Sequence, residues 1–173
     1  MGVFMKVRDA VEGDLPAIVG IYNASIPQRI ATADLEPVPV ESRRMWFRAH
    51  TPARFPIWVV EVEGEIVAWL SFQLFYGRSA YVKTAEVSIY VAPKYQRRGL
   101  GRLLLSLAIS RSHDLGFTTL LAFIFAHNLP SLQLFEGLGF ERWGYLPAVA
   151  ELDGVERDVV IAGRRIEGAD VGE

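Results

Sequence analysis

The sequence contains no cysteine and only three histidines, His50, His113 and His127. Without a thiol the chain can form no disulfide, no thiolate metal site and no cysteine nucleophile. The histidines are scattered and lack the spacing of metal ligands. We therefore expect neither a bound metal nor chemistry through a covalent thioester on the protein.

Long apolar segments and a strong net charge are missing as well. No apolar run approaches the ~20 residues of a membrane-spanning helix, and the first residues lack the charged and cleavage regions of a signal peptide. The formal net charge is −2 at pH 7, which argues against a nucleic-acid-binding protein. We expect a cytoplasmic protein that binds neither nucleic acid nor membranes.

The length and the apolar content favour one domain over residues 1–173. Hydrophobic residues make up 51% of the 173 positions, enough for a substantial core. Apolar patterning predicts strands over 7–9, 57–62, 66–74, 85–91, 120–125, 141–145 and 157–161, and helices over 15–26, 41–49, 100–116 and 130–138. Strands come first as hairpins and then alternate with helices, which predicts an α/β fold with a mixed sheet covered by helices.

The segment from Gln96 to Gly101 joins a predicted strand directly to a predicted helix. A glycine-containing loop at this place leaves backbone N–H groups unpaired at the positive end of the helix dipole, where a phosphate group can bind. Basic residues cluster around it: Lys94, Arg97, Arg98 and Arg102. An ordinary strand-to-helix turn with solvated charges is the alternative.

The motif Gln96-Arg97-Arg98-Gly99-Leu100-Gly101, preceded by the strand at 86–91, resembles the coenzyme loop of the GNAT superfamily of N-acetyltransferases. The block that includes Asn128, Ser131 and residues 135–140 is similar to the second coenzyme motif of that superfamily. Segments at 21–23, 36–38, 78–81 and 84–86 resemble its phosphinothricin acetyltransferase branch. The resemblance covers about residues 6–166 and implies a mixed, mostly antiparallel twisted sheet with splayed central strands.

The resemblance implies that acetyl-CoA is the coenzyme. It assigns the pantetheine arm to the backbone of Ile89 and Val91 and to the side chains of Asn128 and Ser131. It assigns the pyrophosphate to Gln96, Arg97, Arg98, Gly99, Leu100, Gly101 and Arg102. Asn128 and Ser131 are also suited to capping a helix, and the two roles are compatible.

Glu86 corresponds to the catalytic glutamate of the family. An acceptor amine is mostly protonated at neutral pH, so a base must remove a proton before the amine can attack. A solvent-facing glutamate at a strand start is the alternative. Many family members place a tyrosine, as the acid for the leaving thiolate, where this chain has Phe135. Phenylalanine has no acidic proton to donate, so that role stays unassigned, with Tyr81 and Tyr90 as candidates.

The acceptor site is implied by the resemblance and by the loop that leads into Glu86: Thr32, Phe75, Tyr76, Arg78, Tyr81 and Thr84. An arginine beside aromatic residues suits an anionic, amino-acid-like acceptor such as phosphinothricin, methionine sulfoximine or methionine sulfone. The chain departs from the branch at Ala33 and in the segment 150–158, both at the acceptor end. Alternatives are another amine (a peptide N-terminus, a polyamine or an aminoglycoside) and a non-catalytic acetyl-CoA-binding module. The family is commonly dimeric, so we expect a homodimer.

Overall fold

The computed structural model describes residues 3–168. Its strands are β1 (Met5–Asp9), β2 (Ile57–Val62), β3 (Glu65–Leu74), β4 (Thr84–Val91), β5 (Thr119–Phe125), β6 (Glu141–Leu152) and β7 (Val155–Arg165). Its helices are α1 (Leu15–Ser25), α2 (Arg44–Arg48), α3 (Leu100–Arg111) and α4 (Leu129–Gly137). The strands form one sheet in the order β1-β2-β3-β4-β5-β7-β6. Only the β4–β5 pairing is parallel, which confirms the predicted mixed, mostly antiparallel sheet.

The two faces of the sheet carry two cores of different size. On the α3 side, Phe72, Leu104 and Phe117 are fully buried in the larger core. On the α1 side, Ile18 and Trp69 belong to the smaller one. Side chains alternate between faces along a strand, so every second residue of β4 is directed towards each core.

The central strands splay apart, as expected. The parallel β4–β5 ladder pairs Thr84 with Thr119, Ala85 with Leu120 and Glu86 with Leu121, and no further. Beyond that point β4 stays paired with β3 as far as Val91, while β5 stays paired with β7. A gap therefore opens inside the sheet, between two strands that are each held on their other edge.

Several predicted boundaries differ from the structure. Strands predicted over 141–145 and 157–161 are a long hairpin, β6–β7, whose register shifts twice; irregular register breaks the alternation from which strand length is read. The helix predicted over 41–49 is a 3-10 turn, Val40–Arg43, followed by the short α2. The side chain of Asp14, the residue before α1, does not cap this helix and accepts from the N–H of Val11 and from Arg8. Residues 1–2 and 169–173 of the predicted domain lie outside the described residues.

Candidate active site

The gap between β4 and β5 is a cleft lined by the two strands, by the start of α4 and by Ala31 from the loop after α1. Residues 87–90 of β4 form one wall, residues 122–125 of β5 the other, and Asn128, Ser131 and Phe135 close the end at α4. Ala92 donates its N–H to the carbonyl of Val67 on β3 at 2.8 Å. Because successive backbone groups point to opposite edges of a strand, those of Val91 and Ile89 are directed towards the cleft. They can pair with a ligand as a neighbouring strand would.

The loop before α3 adjoins the end of β4. Arg97 and Gly99 have left-handed backbones, with φ of 60° and 81°, and the Gln96 side chain donates to the Val91 carbonyl at 3.3 Å. The N–H of Leu103 bonds the Gly99 carbonyl at 2.9 Å. The amides upstream of that bond belong to the helix start, which has no intrahelical partners. They form a positive site at the helix N-terminus that suits a phosphate group.

The start of α4 fixes the polar end of the cleft. Asn128, which is buried, accepts the N–H of Ser131 through Oδ1 at 3.3 Å. The cap therefore uses the oxygen of the amide and leaves its NH₂ group to donate elsewhere. Phe135, next along the wall, packs edge-on against Phe140 with ring centroids 4.9 Å apart. The wall at this position is apolar.

Glu86 lies where the two central strands separate. It pairs with Leu121 in the last position of the β4–β5 ladder and with Gln73 on β3. It is partly buried. Burial raises the pKa of the Glu86 carboxyl above its ordinary value, because a low-dielectric surrounding disfavours the charged form. A raised carboxyl pKa lies closer to the working pH of a general base.

A second cavity, of about 150 Å³, lies on the other side of β4. We call it the α1–α2 cavity, since Tyr22 of α1 and Trp46 of α2 form part of its wall. The sheet contributes Trp69, Gln73, Ser88 and Tyr90, and the turn before α2 contributes Arg43. Ser88 and Tyr90 line the cleft as well, so the two spaces meet at these residues, next to Glu86.

A network of polar side chains braces the wall of the α1–α2 cavity. Asp34 accepts the Tyr22 hydroxyl and, at 3.1 Å, Nη2 of Arg43. Thr32, a predicted acceptor residue, is buried and contacts the same Tyr22 hydroxyl. Burial raises the pKa of the Tyr90 phenol well above its ordinary value, so Tyr90 stays protonated at physiological pH. The network holds the cavity's polar groups in fixed places.

The other predicted acceptor residues lie outside this cavity. Phe75, Tyr76 and Tyr81 pack on one another, and Phe75 stacks on Phe123 of β5. Arg78 follows Phe75 on the exposed loop. Thr84 begins β4, two positions before Glu86 and on the same face of the strand. The aromatic loop therefore borders the cleft at Phe123.

The sequence motifs did not reveal most of the lining of the α1–α2 cavity, including Arg43, Trp46, Trp69 and Gln73. No local motif contains them, because they come from a turn, a helix and a strand far apart in the chain. The cross-strand position of Gln73, opposite Glu86, is a signal that becomes visible once the hairpin β3–β4 is aligned.

Within residues 3–168, no group of three or more His, Asp or Glu side chains could hold a metal ion. None of the helices in these residues is both long and apolar enough to cross a membrane.

A known class of acyltransferases has the same arrangement: a gap between two parallel strands of the sheet, with a candidate phosphate-binding loop at one end of the gap. The model of the Acetyltransferase (GNAT) family matches residues 18–140, and the chain belongs to this family. The resemblance deduced from the sequence motifs is thereby confirmed, and with it the assignment to the acyltransferases.

Two relatives of the chain have names that are more specific than the family description. The chain is 50% identical over 163 residues to the "Putative phosphinothricin acetyltransferase YwnH" of Bacillus subtilis, covering 94% of this chain and 99% of that protein. It is 33% identical over 147 residues to the L-methionine sulfoximine/L-methionine sulfone acetyltransferase of Pseudomonas paraeruginosa, covering 84% and 86%.

A solved structure with a similar name has a similar fold. The phosphinothricin acetyltransferase of Sinorhizobium meliloti in complex with AcCoA superimposes with a TM-score of 0.89 at 29% identity, covering 98% of this chain and 92% of that one.

Proposed function

We propose that this protein transfers an acetyl group from acetyl-CoA to the amino group of a small amino-acid-like acceptor. The acceptor amine attacks the thioester carbon directly in a ternary complex, a C–N bond forms, and the C–S bond breaks to release coenzyme A. Glu86 takes the proton from the amine. The observation that carries the proposal is the position of Glu86: it is in the last pair of the β4–β5 ladder, and it lies on the same face of β4 as Ser88, two residues on, where the cleft and the α1–α2 cavity meet.

The cleft suits the pantetheine arm of the coenzyme. Its free edge presents the backbone groups of Ile89 and Val91, and Asn128 and Ser131 are at its far end. The loop from Gln96 to Arg102 offers amides and arginines to the pyrophosphate. Relatives of this fold are bound to acetyl-CoA in their crystals, which supports the same coenzyme here.

The thioester carbonyl would lie beside β4, where one backbone N–H directed into the cleft can stabilise the oxyanion. Attack then places the amine close to Glu86. The leaving thiolate has no tyrosine at Phe135 to protonate it. A thiol of ordinary pKa ~8.5 can leave as thiolate, so we assign no protein acid to this step.

The acceptor belongs to the amino-acid analogues named for the relatives: phosphinothricin, methionine sulfoximine and methionine sulfone. The α1–α2 cavity, at about 150 Å³, is smaller than the ~300–1,000 Å³ of drug-sized sites, which supports a small acceptor. Its lining includes one arginine and, among the described residues, no carboxylate. A polycationic amine would call for acidic groups here.

The proposal extends to the whole chain as one acetyltransferase domain, active in the cytoplasm as a homodimer with small-molecule partners and without a metal. The aromatic loop with Phe75, Tyr76, Arg78 and Tyr81, together with Thr84, borders the acceptor on the cleft side, and Thr32 supports the opposite wall through Tyr22.

The experiment is acetyl-CoA turnover, followed by release of free thiol, with three sets of acceptors: amino-acid analogues, peptides and polyamines. We expect turnover with the amino-acid analogues. Turnover with polyamines alone would contradict the proposed acceptor, and tight acetyl-CoA binding without turnover of any amine would favour a non-catalytic binding module.

A further inference from the structure

Among the described residues, one charged side chain lines the α1–α2 cavity, and its position is fixed. Arg43 comes from the 3-10 turn just before α2 and lines the cavity beside Trp46 and Tyr90. Its guanidinium carbon lies 5.0 Å from the centroid of the Tyr22 ring, within the range of a cation–π contact. The side chain is 32% exposed, so it is partly shielded and still reachable.

Within residues 3–168, one of the five guanidinium donors of Arg43 has a hydrogen-bond partner. Nη2 donates to Asp34 at 3.1 Å, and the same carboxylate accepts the Tyr22 hydroxyl. This bond and the Tyr22 ring hold the guanidinium in place, and the remaining N–H groups are available. A fixed guanidinium with free donors suits two-point binding of a carboxylate.

The other walls of the cavity cannot supply that charge. Trp69 donates its indole N–H to the Ile18 carbonyl at 3.0 Å, so this group is already occupied. Tyr90 stacks on Trp69 with ring centroids 4.8 Å apart. The cavity thus has aromatic walls and the guanidinium of Arg43 on one side. Gln73, which also lines it, is the cross-strand partner of Glu86.

We propose that Arg43 binds the carboxylate of the acceptor and so selects amines that carry an α-carboxylate. The inference rests on the proposed function and deepens it, since it assigns acceptor recognition to the turn before α2 rather than to Arg78. With the carboxylate on Arg43, the aromatic walls align the rest of the acceptor, and its amine is directed across Ser88 towards Glu86. Arg43 is a specificity-determining residue in this scheme.

The test compares two acceptors that differ only at the carboxylate: L-methionine sulfone and its α-carboxamide. We expect the wild-type kcat/KM to favour the acid by roughly 10–100-fold, as for a hydrogen bond to a charged group. In Arg43→Met the preference should fall below about threefold, through a loss for the acid alone. Arg43→Lys should keep part of the preference, because it retains the charge but not the planar fork.

Arg48→Met is the matched control. Arg48 lies on α2, is 65% exposed and pairs with Glu12 at 2.8 Å, so its loss should leave the preference intact. The melting temperature and the affinity for acetyl-CoA of each variant separate a folding defect from lost recognition.

Three outcomes would overturn the proposal: an unchanged preference in Arg43→Met, an equal loss for both acceptors, or loss of the preference in Arg78→Met but not in Arg43→Met. The proposed function is judged by the wild type alone. If the wild type acetylates neither compound, the proposed acceptor class fails, and the role of Arg43 with it; if it acetylates both without preference, only the role of Arg43 fails.

Discussion

Glu86 and Leu121 are the last paired residues of the parallel β4–β5 ladder. The carboxylate is therefore carried by the residue at which the sheet opens. Strand pairing on one side of this point gives Glu86 a rigid backbone, and the gap on the other side gives a ligand access to it. The same feature of the sheet thus positions the candidate base and creates the candidate coenzyme cleft.

The pH dependence of turnover should report the burial of Glu86. Because burial raises the pKa of this carboxyl above 4.5, the base is protonated and inactive up to a higher pH than for an exposed glutamate. We expect kcat to fall as the pH decreases, with the midpoint of this acidic limb above 4.5. A kcat profile measured at saturating substrates locates the midpoint. An acidic limb whose midpoint lies at or below the ordinary glutamate pKa of 4.5 would contradict the assignment of Glu86 as the base.

Replacing Gly99, at the start of α3, should weaken coenzyme binding as well as destabilise the fold. Gly99 and Gly64 both have positive φ, 81° and 84°, and both have open space where a Cβ would stand. Alanine at either position should cost about 1–2 kcal/mol of unfolding free energy. Only Gly99→Ala should also weaken coenzyme A binding, by at least about tenfold, since its Cβ enters the anion site. Calorimetric titration of both variants checks this, and equal affinities would count against the loop as the pyrophosphate site.

The pair formed by Arg8 and Asp14 should stabilise the fold in a pH-dependent way. The guanidinium binds both carboxylate oxygens, at 2.6 and 3.0 Å, and this hydrogen bonding lowers the pKa of Asp14 below 3.8. A lowered pKa adds stability above the ordinary value, and that stability is lost as the pH falls towards the folded-state value. We expect Asp14→Asn to reduce the unfolding free energy by about 1–3 kcal/mol at pH 7, with the difference shrinking below pH ~4.

Asp153→Asn is the control for this prediction. Asp153 is 62% exposed in its ion pair with Arg29, and exposed pairs contribute about 0–1 kcal/mol. Urea unfolding at pH 7 and pH 3 compares the two variants. Equal stability of Asp14→Asn and the wild type at pH 7 would show that the Arg8 pair contributes nothing.

The sequence made the candidate coenzyme half of the site predictable. The run from Glu86 to Gly101 is continuous in the chain, so one motif contains the strand, the loop and the helix start that form the cleft and its anion site. The buried strand β5 was evident from its apolar run. Local sequence carries such features because their residues are neighbours both in the chain and in space.

The proposed acceptor half was not predictable to the same extent. Arg43 and Gln73 meet in one cavity only because β3 pairs with β4 and the turn before α2 packs over them. Nothing in the local pattern near Arg43 distinguishes it from its neighbour Arg44 or from the exposed Arg48. The length of β6 and β7 was underestimated for a related reason: their exposed residues and shifted register follow from long-range pairing.

The most direct test of the account is acetyl-CoA turnover by Glu86→Gln, with Glu65→Gln as a control. Glu65 is exposed at the start of β3, away from the cleft. With L-methionine sulfone as acceptor, we expect Glu86→Gln to lower kcat by roughly 10²–10⁴-fold, the usual contribution of a general base, while the dissociation constant of acetyl-CoA stays within about twofold. Wild-type kcat in Glu86→Gln, or lost coenzyme binding with normal turnover at saturation, would contradict the account.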